Sequence, residues 1–190
     1  MTQIALFASG SGTNAENIAK YFANSTQIKI SVIVSNNPNA FVHQRAKALN
    51  IPSYTLTKEA FTDGEDLIKL LLDCNIDFIV LAGFLLKIPD SVLERFPKRI
   101  INIHPALLPK HGGKGMFGDN VHKKVIEMGD LKSGITIHYV NEKYDDGEII
   151  FQESCIVEPE DSYEDVAKKV HTLEYNHFPQ IIEEVILGKI

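Results

Sequence analysis

Two polar residues near the middle of the chain have the types and the spacing of a catalytic pair. Asn102 and His104 stand two residues apart at the end of the predicted strand 99–103, and Pro105 follows them. Side chains two apart on a strand point to the same face. An asparagine amide can donate to a developing oxyanion, and histidine moves protons near neutral pH. A histidine alone at a strand end is more often structural, but the neighbouring asparagine favours catalysis here.

A catalytic histidine usually needs a carboxylate to orient it. The acidic turn 141–147 is the best supplier, although an ordinary acidic hairpin loop is the alternative interpretation. Nothing in the chain is a persuasive nucleophile, because it has no G-x-S-x-G motif and neither Cys74 nor Cys155 lies in a predicted turn or at a helix start. The pattern therefore predicts direct attack of an acceptor amine on a carbonyl-like carbon, without a covalent enzyme intermediate.

A second chemical signal is the glycine-rich segment Ser9–Asn14, which lies between a predicted strand and a predicted helix. Glycine allows a positive φ and a close approach to the backbone, and a helix N-terminus offers unpaired N–H groups to an anion. The segment predicts a phosphate or carboxylate site. A tight strand-to-helix turn without a ligand is the alternative.

The kind of phosphate follows from what surrounds this segment. Gly10, Gly12 and Ala15 match the spacing of the dinucleotide fingerprint, but the second predicted strand ends in 34–37 (VSNN) without the acidic residue that holds a ribose. The Walker A pattern also fails, because no G-K-[ST] follows the glycines. We therefore expect a simple phosphomonoester.

The elements that must position these residues alternate between strands and helices over the first hundred residues, which is typical of βαβ units. A glycine-rich loop, a helix and two strands joined by a turn follow, and then a long amphipathic stretch from Asp161 that Pro179 should kink or divide. The prediction is an α/β fold with a mainly parallel, Rossmann-like open sheet, helices on both faces and antiparallel strands added in the C-terminal half. We expect one domain, 1–190, with a nucleotide-phosphate half at about 1–100 and a catalytic half at about 101–190.

Composition narrows the class of protein. The chain has 190 residues, a formal net charge of −6 and two distant cysteines. An acidic chain with no concentrated basic surface weakens any nucleic-acid function, and the cysteine spacing indicates neither a disulfide framework nor a metal site. No apolar run approaches a membrane span and no secretory signal is visible, so we expect a cytoplasmic location and no membrane partner.

Several segments together resemble a known family. They are Ser9–Asn14, Leu81–Phe84 (LAGF), Asn102–Pro109 (NIHPALLP), Tyr144–Gly147 (YDDG) and Glu174–Pro179 (EYNHFP). In this order they are similar to the phosphoribosylglycinamide formyltransferases, the folate-dependent transformylases of purine synthesis. The likeness runs over nearly the whole chain.

The resemblance implies that the amine of glycinamide ribonucleotide attacks the formyl carbon of 10-formyltetrahydrofolate, which is a co-substrate, with no metal involved. The implied catalytic residues are Asn102 for the oxyanion, His104 for the proton and Asp145 to keep the imidazole basic. The implied ribonucleotide site comprises Gly10, Ser11, Gly12, Thr13, Asn14, His171, Thr172, Leu173 and Glu174. The implied folate site comprises Leu85, Leu86, Lys87, Ile88, Asn102, Asn141, Glu142, Lys143, Tyr144 and Asp145, with apolar walls for the pterin from Leu81, Phe84, Leu85 and Ile88.

The chain also departs from the family pattern. Many members have an arginine for the folate tail on the helix before Leu81, and often another where Leu86 stands, but this chain has neither. The loop Lys110–Gly118 is unusually long and glycine-rich; we expect a lid over the site, with a subgroup-specific surface loop as the alternative.

Three rival functions remain open. Methionyl-tRNA formyltransferase shares the Asn102–Pro109 motif but normally adds a C-terminal tRNA domain, and formyltetrahydrofolate deformylase usually has an extra N-terminal regulatory domain. A non-catalytic phosphate- or nucleotide-binding module explains the glycine loop but leaves Asn102, His104 and Asp145 without a task. The oligomeric state stays open between a monomer and a homodimer.

Overall fold

The computed structural model describes all 190 residues, and strands and helices alternate along most of the chain. The strands are β1 (Thr2–Phe7), β2 (Ile28–Ser35), β3 (Ser53–Thr55), β4 (Phe78–Leu81), β5 (Ile100–His104), β6 (Lys132–Tyr139) and β7 (Ile149–Ile156). The helices are α1 (Thr13–Tyr21), α2 (Val42–Ala48), α3 (Ala60–Asp63), α4 (Glu65–Asp73), α5 (Asp90–Arg95), α6 (Asp119–Glu127) and α7 (Tyr163–Ile186).

The strands form one seven-stranded sheet in the order β3-β2-β1-β4-β5-β6-β7. Strand β1 pairs in parallel with β2 and with β4, and β2 pairs in parallel with β3. The last two strands, β6 and β7, are antiparallel. This topology confirms the predicted α/β class with a mainly parallel sheet and an antiparallel addition in the C-terminal half.

The chain divides into two compact units, Met1–Ile101 and Asn102–Ile190. In the first unit, β4 and the part Ile4–Phe7 of β1 are continuous apolar runs because strands with both faces covered have no polar side. Residues Ile4 to Phe7 of β1 are all inaccessible to solvent. The Phe7 ring makes edge contacts with Phe84 and Phe61, at centroid distances of 5.3 and 6.4 Å. These contacts bury the strand ends that lead into the polar loops.

In the second unit, β6 and β7 form a hairpin that packs against α7. Ile135 and Ile137 of β6 are fully buried, whereas alternate residues of β7 are exposed. Helix α7 begins with a capping box, in which the Ser162 hydroxyl accepts from the Asp165 amide and the Asp165 carboxylate accepts from the Ser162 amide. This pairing satisfies backbone donors that the helix start leaves without partners.

One of the two alternatives expected for Pro179, a division of the helix, differs from the structure. Pro179 does not divide the C-terminal helix, because α7 runs unbroken from Tyr163 to Ile186. The proline removes one backbone donor, but the neighbouring Phe178 and Ile182 are fully buried and hold the turns on either side of it.

Candidate active site

Strand β5 carries the predicted catalytic pair at its carboxyl end. His104 is the last residue of the strand and is 3% exposed, and Asn102 is half-buried two residues before it. Pro105 follows the strand and has no N–H with which to extend the ladder. Because side chains alternate along a strand, those of Asn102 and His104 lie on the same side of the sheet, as the sequence predicts.

Both ring nitrogens of His104 face acceptors. Nδ1 lies 3.5 Å from Oδ2 of Asp145. Nε2 donates a 2.8 Å hydrogen bond to the backbone carbonyl of His111. The backbone carbonyl and the carboxylate thus fix the orientation of the imidazole from both sides.

Asp145 is held in the turn between β6 and β7 by backbone contacts. It adopts a left-handed conformation with φ 53°, which a short polar side chain tolerates. Its Oδ2 accepts a 2.9 Å hydrogen bond from the Gly113 amide. Gly147 completes the turn, and a Cβ there would lie 1.7 Å from the carbonyl oxygen of Tyr139. The glycine of the Tyr144–Gly147 motif is therefore required by the close approach of two backbones.

A second histidine, His138 on β6, belongs to this cluster and was missed in the sequence analysis. Its Nδ1 donates a 2.8 Å hydrogen bond to the Tyr139 carbonyl, so in the neutral ring Nε2 is an acceptor. Nε2 receives a 3.1 Å hydrogen bond from Nδ2 of Asn102. Burial lowers the pKa of His138, which supports the neutral ring despite Asp145 Oδ1 at 3.8 Å. The only sequence signal for this residue was a polar side chain near the end of a buried strand.

The start of the glycine-rich loop Lys110–Gly118 reaches the same cluster through backbone atoms. His111 has φ 56°, a left-handed conformation, and its carbonyl accepts from His104. Its side chain lies 2.5 Å from Asp130, which also hydrogen-bonds Lys110. Burial would raise the pKa of Asp130, but the hydrogen bonds from Lys110 and His111 outweigh it and lower the pKa. An ionised carboxylate thus anchors the loop residue that hydrogen-bonds the His104 imidazole.

The remaining folate residues of this unit lie in the turn after β6. The side chain of Asn141 accepts a 2.9 Å hydrogen bond from the Lys143 amide, which tightens the turn. Tyr144 is exposed, and Lys143 Nζ lies 3.5 Å from Asp146. Glu142 is also exposed. Apart from Asp145, the side chains of this turn face solvent or one another.

On α7, the predicted ribonucleotide segment contains a buried carboxylate. Glu174 is 4% exposed, and one of its oxygens lies 2.8 Å from Nδ1 of His171. This hydrogen bond raises the pKa of His171, with burial opposing it. The Thr172 hydroxyl donates to the Lys168 carbonyl of the preceding turn, and Leu173 is half-buried. Glu174 and His171 are therefore the polar groups of this segment suited to a ligand.

In the first unit, the glycine-rich loop turns sharply into α1. Gly12 precedes the helix with φ 72° and ψ 24°, and its carbonyl accepts the first helical bond, from Glu16. A Cβ on Gly12 would lie 2.3 Å from Cγ2 of Val42. Both the conformation and the contact require glycine. Thr13 and Asn14 form the first turn of the helix, whose free N–H groups carry a partial positive charge.

The predicted folate segment Leu85–Ile88 follows β4 and is tied to Ser9, the first residue of the glycine-rich segment Ser9–Asn14. The Ser9 hydroxyl accepts a 3.0 Å hydrogen bond from the Leu85 amide and donates one of 2.6 Å to Asn36. Within the segment, Ile88 is buried and Leu85 is 46% exposed, and Lys87 pairs with Asp90 at 3.0 Å. Leu86 is half-buried. Leu81 and Phe84, which precede this segment and belong to the expected apolar wall for the pterin, are buried.

The second unit therefore brings together Asn102, His104 and Asp145, with His138 and the His111 carbonyl added. The first unit carries the glycine loop and the segment Leu85–Ile88. No group of three or more histidine, cysteine or acidic side chains is placed to hold a metal ion. No helix has both the length and the apolar character needed to cross a membrane.

This fold and this Asn-His-Asp cluster define a class of protein. Residues 2–182 match the family model described as formyl transferase, so the chain belongs to the formyl transferase family. Among characterised relatives, it is similar to phosphoribosylglycinamide formyltransferase of Haemophilus influenzae, at 33% identity over 100% of this chain and 90% of the relative. The enzyme of the same name from Bacillus subtilis is 31% identical over 98% of this chain and 95% of the relative. The chloroplastic enzyme of Arabidopsis thaliana is 38% identical over 99% of this chain, which spans 66% of that protein.

Solved structures of phosphoribosylglycinamide formyltransferases are also similar to this chain. The phosphoribosylglycinamide formyltransferase of Anaplasma phagocytophilum superposes with a TM-score of 0.90 and 30% identity, over 100% of this chain and 89% of that one. That of Bacillus halodurans superposes with a TM-score of 0.87 and 32% identity, over 97% of this chain and 95% of that one. The family resemblance predicted from the sequence is confirmed.

Proposed function

We propose that this chain transfers the formyl group of 10-formyltetrahydrofolate to the amine of glycinamide ribonucleotide, a step of purine synthesis. The observation that carries the proposal is the buried His104 with Nδ1 facing the Asp145 carboxylate at 3.5 Å, on the strand that also presents Asn102. The names of the relatives supply the acceptor, the family resemblance supplies the formyl donor, and the cluster has the groups that such a transfer needs.

Asn102 stabilises the oxyanion. When the amine attacks the formyl carbon, the carbonyl oxygen gains negative charge and needs a donor that is already in place. One hydrogen of the Asn102 amide points to Nε2 of His138, which sets the orientation of the amide. The amide has a second hydrogen, and this one is directed at the oxyanion.

His104 handles the proton. The attacking amine must lose one proton and N10 of the folate must gain one as the bond from the formyl carbon to N10 breaks. His104 accepts the first and delivers the second, so the ring ends as it began and the products are formylglycinamide ribonucleotide and tetrahydrofolate. Asp145 stabilises the imidazolium that carries the proton between the two steps.

The substrates are held by separate segments. The ribonucleotide phosphate binds the amides of Gly10–Asn14 at the start of α1, and Glu174 with His171 bind a polar group of the same substrate. The folate binds Leu85–Ile88 and Asn141–Asp145, largely through backbone groups. Neither segment supplies an arginine for the folate tail.

The decisive experiment is to mix the purified chain with both substrates and follow tetrahydrofolate by absorbance and the formylated ribonucleotide by mass spectrometry. We expect equal amounts of the two products. A chain that releases tetrahydrofolate without the ribonucleotide is a deformylase, and one that formylates only methionyl-tRNA is the tRNA enzyme. Failure to turn over any of these acceptors contradicts the assignment.

A further inference from the structure

Arg45 on α2 contacts the glycine-rich segment Ser9–Asn14, although Arg45 itself lies outside the segments assigned to substrates. Its Nε donates a 2.8 Å hydrogen bond to the carbonyl oxygen of Ser11. Its Nη1 hydrogen-bonds the carboxylate of Glu16, and the guanidinium carbon lies 5.0 Å from the centre of the Phe41 ring. A planar guanidinium that meets a carbonyl, a carboxylate and an aromatic face has one preferred orientation.

The bond to Ser11 decides which way the loop backbone points. The peptide between Ser11 and Gly12 is trans, so its carbonyl and its N–H point in opposite directions. Since the Ser11 carbonyl points to Arg45, the Gly12 amide points away from it. The preceding peptide is held in the same way, because the Val42 amide donates a 3.1 Å hydrogen bond to the Gly10 carbonyl. The Ser11 amide therefore also points away from α2.

Two successive amides that point away from their anchored carbonyls are donors suited to an anion. Arg45 is not itself placed as a direct ligand for that anion, because its Nε and Nη1 are engaged by the Ser11 carbonyl and the Glu16 carboxylate. Glu16 also pairs with Lys20 at 2.7 Å. The guanidinium thus acts on the loop through the Ser11 carbonyl, while the amides on the other side of the same peptides bind the ligand.

We propose that Arg45 is a positioning residue of the phosphate site, which holds the Ser11 carbonyl so that the Ser11 and Gly12 amides are presented to the phosphate. Only the identity of the ligand as a phosphomonoester rests on the proposed function. Without the guanidinium, the peptide can rotate and present its carbonyl, whose partial negative charge repels a phosphate.

The kinetic test replaces Arg45 and compares the two substrates. Because a charge-assisted hydrogen bond orients the peptide, Arg45→Ala should raise KM for the ribonucleotide about ten- to a hundredfold, with kcat and the folate KM unchanged. Arg45→Lys keeps the charge but not the fork of donors, and should give an intermediate rise. The matched control is Lys20→Ala, which removes the other cation on Glu16 and should leave every constant unchanged. A wild-type KM in Arg45→Ala, or an equal rise in Lys20→Ala, overturns the proposal.

A binding test separates this inference from the proposed function. Inorganic phosphate is titrated into the ¹⁵N-labelled chain, and the amide resonances of Ser11 and Gly12 are followed. In the wild type both should shift downfield on saturation. In Arg45→Ala the affinity for phosphate should fall by the same factor as in the kinetic test, and the shifts should be reduced even at saturation.

If Arg45 were instead a direct ligand, the Ser11 and Gly12 shifts would be fully retained at saturation in Arg45→Ala, and the positioning role would be refuted. The titration needs no formyl donor, so it decides the role of Arg45 even if the chain transfers no formyl group. Arg45→Lys provides the same comparison should the alanine variant fail to fold, as judged by its thermal unfolding.

Discussion

The glycine-rich segment Ser9–Asn14 of the first unit and the Asn-His-Asp cluster of the second differ in the groups that they offer to a ligand. The first offers backbone groups and the second offers side chains. The loop presents backbone amides and the start of α1, and its own segment Gly10–Asn14 contains no titratable side chain. The cluster consists of side chains, and His104 and His138 within it are both buried. Binding an anion needs fixed dipoles, whereas formyl transfer needs a group that gains and loses a proton.

The two regions also differ in how they are held. In the loop, the carbonyls of Gly10 and Ser11 are bound by Val42 and Arg45, so the backbone has one orientation. In the cluster, the hydrogen bond from His138 Nδ1 to a carbonyl selects the tautomer, and the tautomer then sets the Asn102 amide. Changes in the loop should therefore alter substrate affinity, and changes in the cluster should alter turnover.

The largest effect is expected for His104→Ala. Loss of the proton carrier should lower kcat about 10²- to 10⁴-fold, with KM for the ribonucleotide nearly unchanged, as measured by steady-state kinetics. The control is His43→Ala, since His43 hydrogen-bonds Ser53 and Thr55 on β3 and takes no part in the cluster. An unchanged kcat in His104→Ala would show that this residue does not carry the proton.

Gly12→Ala should produce the opposite kinetic pattern. The new Cβ meets Val42 at 2.3 Å in a backbone with φ 72°, so the loop must move and its amides lose their alignment. We expect KM for the ribonucleotide to rise at least about tenfold while kcat changes little. Gly188→Ala is the matched control, because φ is 65° there but no atom lies within 4 Å of the new Cβ. An unchanged KM in Gly12→Ala would contradict the phosphate site.

His138→Phe tests whether the neutral histidine acts through Asn102. The ring is retained but the acceptor for the Asn102 amide is lost, so kcat should fall about tenfold, with both KM values unchanged. His138→Gln restores an acceptor oxygen and should recover most of the rate. Equal losses in the two variants would mean that His138 only fills space.

The smallest effect concerns the start of α7, which carries His171 and Glu174. The hydrogen bond with Ser162 lowers the pKa of Asp165 from 3.8 to about 2. Since the folded pKa is depressed, the stabilisation is complete above pH 4 and is lost as the pH falls towards 2. Urea unfolding should show this loss in the wild type and a smaller one in Asp165→Asn, with kcat at neutral pH unchanged. An identical acid dependence in both would exclude the cap as its source.

Much of the site was predictable because its signals are local. The alternation of β5 predicted that Asn102 and His104 share a side, and the glycine spacing predicted the strand-to-helix turn at Gly12. Both depend on backbone geometry over a few residues, which residue types determine directly. The predicted family is confirmed by the family match over residues 2–182, and the predicted fold class by the sheet topology. The roles of the individual site residues, the location of the chain, its oligomeric state and the lid remain predictions.

Other features were not predictable because they depend on contacts between distant segments. His138 was one polar residue on a buried strand until its partners, Asn102 and the Tyr139 carbonyl, were known. The continuity of α7 through Pro179 depends on burial of Phe178 and Ile182 in the core of the unit. The proline predicts a kink or a division there, and of these the division does not occur because tertiary packing keeps the helix continuous.

The sequence by itself determined the chemistry that this protein has available: an amide, an imidazole, a carboxylate and a glycine loop, in an order that specifies the family. Only the tertiary structure decided how these groups are oriented. His104 faces Asp145 because a left-handed turn and the Gly113 amide hold the carboxylate, and the Gly12 amide points away from Arg45 because Arg45 binds the Ser11 carbonyl. The reason is physical, since residue types set which hydrogen bonds are possible and the fold selects which of them form.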